Sequence, residues 1–118
     1  MKKLIILMIF ISVLPLLAFQ HGDRVLGKWS DGLWYPGEIT GLVDEKFMIS
    51  FDDGDMAFLN SNEIRVIDWK EGSRIECNWK LKGVYYPGVI REKSNDQIHV
   101  DYDDGDKEIT VIGRCRSK

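Results

Sequence analysis

Residues 22–64, GDRVLGKWSDGLWYPGEITGLVDEKFMISFDDGDMAFLNSNEI, are followed almost at once by a second version of themselves at residues 72–112, GSRIECNWKLKGVYYPGVIREKSNDQIHVDYDDGDKEITVI. Gly22, Arg24 and Trp29 recur as Gly72, Arg74 and Trp79 at a spacing of 50. From Gly32 the spacing is 51, pairing Tyr35-Pro36-Gly37 with Tyr86-Pro87-Gly88, Ile39 with Ile90, and Phe51-Asp52-Asp53-Gly54-Asp55 with Tyr102-Asp103-Asp104-Gly105-Asp106. One residue is therefore inserted in the second copy, near Leu81. Agreement at so many distinctive positions is hard to produce by composition, so the period governs the fold reading.

Each copy reads as short strands. In the first, Arg24–Lys28 places Val25 and Gly27 opposite Leu26, and Leu33–Thr40 is aromatic-rich and crossed by Pro36-Gly37. Lys46–Phe51 alternates, Asp52-Asp53-Gly54-Asp55 turns the chain, and Met56–Leu59 returns. An Asp/Gly turn between β-formers signals a tight hairpin, and Pro-Gly within an extended segment signals a bend or bulge. Helical periodicity is missing from both copies. Asn60–Glu63 offers one 3₁₀ turn before a closing strand Ile64–Ile67. The expected fold is all-β: tandem SH3-like, five-stranded bent barrels at 19–67 and 73–118, joined by a connector at 68–72. Trp69 in that connector is expected at the contact between the copies.

The chain opens with Met1-Lys2-Lys3 and an uncharged run from Leu4 to Leu17, ending in the small residue Ala18. This is the pattern of a signal peptide over residues 1–18, and the run is shorter than the roughly 20 residues of a bilayer-spanning helix. The expectation is a secreted or periplasmic protein with no stable membrane association after cleavage; an uncleaved segment would leave it anchored. Removing residues 1–18 takes Lys2 and Lys3, leaving 14 basic and 19 acidic residues and a formal charge of −5. That balance disfavours nucleic acid, which needs a basic patch, and favours cationic partners.

The two cysteines, Cys77 and Cys115, fall in the first strand of copy two and just after its last. In a small barrel these strands lie side by side, and export favours a disulfide over two separately buried thiols. The closed loop of about 38 residues would contribute about 3–4 kcal/mol in the chain-entropy model. Without a CxxC spacing or a neighbouring His, the pair reads as structural.

Catalysis, cofactors and metals find little support. His21 and His99 belong to no ligand-spaced group. The acidic turns lack the ligand spacing of a helix-loop-helix calcium site, and adjacent turn carboxylates do not make an acid/base pair. The rings say more. In each copy a Trp ends the first strand (Trp29, Trp79), a Tyr precedes the Pro-Gly bend (Tyr35, Tyr86), and an aromatic leads into the acidic turn (Phe51, Tyr102). Three ring faces backed by Asp53 or Asp104 would form an electron-rich box for a weakly hydrated cation, each face contributing roughly 0.5–2 kcal/mol. The plainer reading is that these rings fill a small core, where Trp34, Phe47, Phe58 and Tyr85 are expected.

The string KWSDGLWYPGEI continued by ISFDDGD, repeated as NWKLKGVYYPGVI and VDYDDGD, resembles the Tudor family of the Tudor/Agenet/chromo group in its tandem arrangement. The resemblance spans residues 22–67 and 72–113. It implies a non-catalytic reader holding methyl-lysine or methyl-arginine in aromatic cages, here Trp29, Tyr35, Phe51 and Asp53 in the first copy and Trp79, Tyr86, Tyr102 and Asp104 in the second. Asp55 and Asp106 stand where many cages carry another aromatic, which favours lower methylation states or an unmodified Lys or Arg. The implied partner is a methylated or basic peptide; the alternative is a structural or protein–protein interaction domain with no open cage.

Overall fold

The computed structural model describes residues 19–118; the segment expected to be a signal peptide lies outside the described residues. Ten strands follow in two sets of five. The first set is β1 Arg24–Lys28, β2 Trp34–Val43, β3 Lys46–Phe51, β4 Met56–Leu59 and β5 Ile64–Val66. The second is β6 Arg74–Asn78, β7 Tyr85–Ser94, β8 Gln97–Tyr102, β9 Lys107–Val111 and β10 Cys115–Arg116. The 3₁₀ turn expected after β4 is present at Ser61–Glu63, with the Asn60 amide donating to Glu63 Oε1 at 2.9 Å.

Both sets form an antiparallel sheet in the same order: β4-β3-β2-β1-β5 and β9-β8-β7-β6-β10. The two sheets resemble those of SH3/Tudor-like folds. In neither are the outer strands, β4 and β5 or β9 and β10, hydrogen-bonded neighbours. Strand β2 runs past the sequence-expected end at Thr40 to Val43. It does so through a register shift between Ile39 and Gly41, matched in β7 between Ile90 and Glu92. Such an irregularity bends the long strand.

The Pro-Gly pair has a further cause. A Cβ on Gly37 would lie 2.7 Å from the Ser50 carbonyl oxygen, and one on Gly88 2.8 Å from that of Asp101. At these points β3 and β8 approach too closely for any side chain. The acidic turns close in the same way in both copies: Phe51 N–H donates to the Asp55 carbonyl and Tyr102 N–H to that of Asp106, each at 2.8 Å. Gly54 and Gly105 take φ of +99° and +98°, the left-handed region where glycine has no steric penalty.

Two apolar clusters hold the sheets. Val25, Ile39, Ile49, Phe51, Leu59 and Ile64 fill the first. The second contains Ile75, Ile90, Ile98, Val100 and Ile112, together with Trp69 and Leu26. Adjacent strand residues point to opposite faces, so Val25 and Leu26 send β1 side chains into different clusters. Complete burial of Leu26 contributes about 1.5–3 kcal/mol to holding the sheets together. Trp69 is buried as its connector position led one to expect, and its indole N–H donates to Ser117 Oγ at 3.2 Å.

The C-terminus completes the join. Cys77 and Cys115 are directly paired across β6 and β10 and form a disulfide. Two residues on, Ser117 exchanges both backbone hydrogen bonds with Trp34 at the start of β2, at 2.8 and 3.0 Å. The last strand thus pairs with the second sheet through Cys115 and Arg116 and with the first through Ser117.

Two core expectations are corrected. Phe58 is 47% exposed, because alternation along β4 turns Ala57 and Leu59 inward and Phe58 out. Tyr85 is half-buried and faces a cavity of the first sheet, since the seam brings the start of β7 against Tyr35.

Candidate functional site

Strand ends place the first copy's rings together. Trp29 follows β1, Tyr35 is second in β2, and Phe51 ends β3. Trp29 and Phe51 meet edge to face with centroids 5.4 Å apart and planes at 86°; Tyr35 and Phe51 do so at 6.4 Å and 83°. Between them is a cavity of about 160 Å³ lined by Trp29, Asp31, Tyr35, Phe51, Asp53, Asp55 and Tyr85. All four residues expected in the first box are therefore at one site.

Asp55, expected at the acidic open side of the box, lines it too, and two lining residues were not assigned to it from the sequence: Asp31 and Tyr85. Asp31 had a signal, an acid two residues after the Trp where the second copy carries lysines. It folds back on its own loop, accepting from Leu33 N–H at 2.9 Å and from the Tyr35 hydroxyl at 2.6 Å. Asp53 accepts from Asp55 N–H at 3.0 Å, which fixes its carboxylate at the turn. Tyr85 comes from the other sheet, meeting Tyr35 edge to face at 6.4 Å. Its position had no local sequence signal.

The site is acidic, and its phenols stay protonated. Burial, then the hydrogen bond to Asp31, push the Tyr35 hydroxyl up to about 12, against the opposing influence of Arg116. Burial also raises Tyr85; Arg116 opposes the shift and the charges of Asp53 and Asp31 add to it. A pocket with ring faces on several sides and carboxylates at its mouth attracts cations and repels anions.

The equivalent residues of the second copy are arranged differently. Trp79 and Tyr86 meet edge to face at 6.3 Å. Tyr102 is buried and donates its hydroxyl to Glu108 Oε1 at 2.6 Å. Asp104 caps its own turn, accepting from Asp106 N–H at 2.9 Å. The Trp79 ring already carries cations of its own chain: Lys80 Nζ lies 4.8 Å and Lys82 Nζ 5.6 Å from its centroid. Among the described residues Tyr102 makes no ring–ring contact with Trp79 or Tyr86, unlike Phe51, which meets both Trp29 and Tyr35. The disulfide residues Cys77 and Cys115 are fully buried, and Cys77 is the strand partner of Tyr86.

No protein-family model and no curated protein matches this sequence. Among solved structures, the Crb2 tandem tudor domains superpose with a TM-score of 0.58 at 18% identity, covering 81% of this chain and 77% of that one. The ADCP1 tandem Agenet domain 3-4 is similar at a TM-score of 0.42 and 16% identity, covering 86% of this chain and 82% of that one. Arabidopsis thaliana AGDP1 AGD34 is similar at 0.43 and 15%, covering 86% and 84%. The likeness to the Crb2 domains is one of fold: the chain has a Tudor-like architecture. Among the described residues no group of three His, Cys, Asp or Glu is placed to hold a metal.

Proposed function

We propose that the protein is an exported binding module that takes a methylated lysine or arginine, or a similar cationic side chain, into the pocket of Trp29, Tyr35, Phe51 and Asp53. The observation that carries the reading is the 160 Å³ cavity walled by near-perpendicular rings and rimmed by Asp31, Asp53 and Asp55. Each ring face turned to an ammonium group contributes roughly 0.5–2 kcal/mol, and carboxylates add longer-range attraction. A cation that keeps an N–H can also donate to a rim carboxylate, a charge-assisted hydrogen bond closed to a quaternary group. The preferred ligand is therefore a peptide with a mono- or dimethylated, or unmodified, Lys or Arg. Residues 1–18 act as its export signal, in keeping with a disulfide that persists in an oxidising compartment.

For the second copy we favour a structural role. Its Trp79 ring is covered by Lys80 and Lys82, and Glu108 holds Tyr102.

The test is titration of residues 19–118 with peptides carrying mono-, di- and trimethyl-lysine and dimethyl-arginine, followed by amide shifts. Saturable shifts confined to the Trp29, Tyr35 and Phe51 region are expected, at one site per chain. No response at millimolar peptide sinks the reading.

A further inference from the structure

The first pocket is finished by the far end of the chain. Arg116, in the two-residue strand β10, donates from Nε to Glu76 Oε1 at 2.8 Å and from Nη1 to the Tyr35 hydroxyl oxygen at 3.1 Å. Its guanidinium lies 4.0 Å from the centroid of the Tyr85 ring. The Tyr35 hydroxyl in turn donates to Asp31. Glu76, Arg116, Tyr35 and Asp31 are thus a continuous run of polar contacts from β6 of the second sheet to the rim of the pocket in the first. Arg116 also braces Tyr85, the pocket's one ring from the second sheet.

Strand β10 has only two residues, too few for its own ladder to hold Arg116 in place. It is tied on both sides of Arg116. Cys115 is bonded to Cys77, and Ser117 is paired with Trp34. The guanidinium fork suits this place because it can donate to two partners at fixed angles while lying flat on a ring, which an ammonium cannot do.

We propose that Arg116 is a positioning residue for the first pocket, setting Tyr35 and Tyr85 from the second sheet while the Cys77–Cys115 bond holds it in register. The proposal rests on the first pocket being the binding site, but its structural part can be read without any ligand. The two sheets then make one binding unit, and the second is required even though its own ring cluster takes no ligand.

The experiment compares residues 19–118 with the Arg116→Gln and Arg116→Lys variants, using a dimethyl-lysine peptide as probe and aromatic cross-peaks between Tyr35 and Tyr85 as the structural readout. Arg91→Gln, on the exposed part of β7, is the control. Both Arg116 variants are expected to bind about tenfold more weakly, from loss of one hydrogen bond to a charged group, and to lose the cross-peaks. Ionisation of Tyr35 separates positioning from charge. Arg116 by itself holds the Tyr35 pKa down, so a purely electrostatic role predicts still later ionisation in the Gln variant. A ring released to solvent instead ionises near the ordinary value of about 10.

Unchanged affinity, or weakened binding with the cross-peaks intact, overturns the proposal. Opening the disulfide gives a second handle that leaves Arg116 in place. A small dithiol supplies two electrons and two protons, the S–S bond becomes two thiols, and the dithiol leaves as its cyclic disulfide. The same loss of cross-peaks is expected, and their full retention overturns the role given to the disulfide. If wild-type protein binds no probe, the pocket reading fails, and the cross-peaks and Tyr35 ionisation still decide the role of Arg116.

Discussion

At the rim of the first sheet Trp29, Tyr35 and Phe51 stand around a cavity, whereas at the equivalent rim of the second Trp79 and Tyr86 meet each other and Tyr102 is held by Glu108. The rings are nearly the same; their neighbours are not. Where the first loop carries Ser30 and Asp31, the second carries Lys80, Leu81 and Lys82, so a carboxylate that steadies Tyr35 is replaced by ammonium groups lying on Trp79. Where β4 has Ala57, β9 has Glu108, which takes the Tyr102 hydroxyl and the Lys80 amide. Where β1 has Gly27, β6 has Cys77. A Cβ at Gly27 would sit 3.0 Å from both Phe51 and Leu59, so its absence lets Phe51 lie against β1. Copying a ring pattern does not copy a site, because the pocket depends on small residues and charges between the rings.

The sharpest way to test this asymmetry is to open the structural element that only the second sheet has. Replacing Cys77 and Cys115 with Ser should lower unfolding free energy by about 3–4 kcal/mol, the value for a closed loop with a sequence separation of 38, read from denaturant midpoints. A loss below about 1 kcal/mol would mean that the Ser117–Trp34 pairing and the Trp69 core already hold the C-terminus.

Next in size is the contrast between the tryptophans. Trp29→Ala should weaken peptide binding by about 1–3 kcal/mol, while Trp79→Ala should leave affinity within twofold. Equal losses at both positions would break the comparison, showing that the lysines over Trp79 give way to ligand.

Glu108→Ala is expected to cost about 1–2 kcal/mol of stability by stranding the buried Tyr102 hydroxyl. It should also change the alkaline limb. Burial, then the bond to Glu108, raise the Tyr102 pKa above its unfolded value. Its contribution is complete below about pH 10 and is lost as pH rises through the folded value. Stability of the parent protein should therefore fall above about pH 10, and the Glu108→Ala variant should fall less steeply over the same range.

The smallest difference concerns two matching ion pairs. Arg24 grips Asp52 through two bonds at 2.6 and 2.7 Å and reaches Asp96 of the second sheet at 3.4 Å, whereas the more exposed Arg74 meets Asp103 through one. Arg24→Gln should cost about 1 kcal/mol and Arg74→Gln about half that or less, measured as paired shifts in denaturant midpoint.

Much of this fold is written locally. The doubled YPG and FDDGD strings mark the bend and the turn because Gly37 and Gly88 sit where no Cβ fits, and Gly54 and Gly105 take a backbone angle that other residues resist. The first ring cluster was legible for the same reason, since strand ends joined by tight turns fall at one rim. Phe58 was misjudged because ring size predicts burial less well than alternation along a strand. The roles of Tyr85 and Arg116 could not be found by comparing the copies, because their partners in the first sheet are far away in sequence.

The sequence by itself determined the duplication, the short strands and turns of each copy and the grouping of Trp29, Tyr35 and Phe51 at one rim, set by short-range sterics and a repeated pattern, and it favoured the Cys77–Cys115 pairing over two buried thiols. Only the tertiary structure decided which rim is open and how the halves join. Those outcomes turn on long-range contacts: Leu26 buried in the other sheet's cluster, Ser117 paired with Trp34, Arg116 bonded to Tyr35. Such contacts are fixed by the packing of the two sheets, which no local stretch of chain encodes.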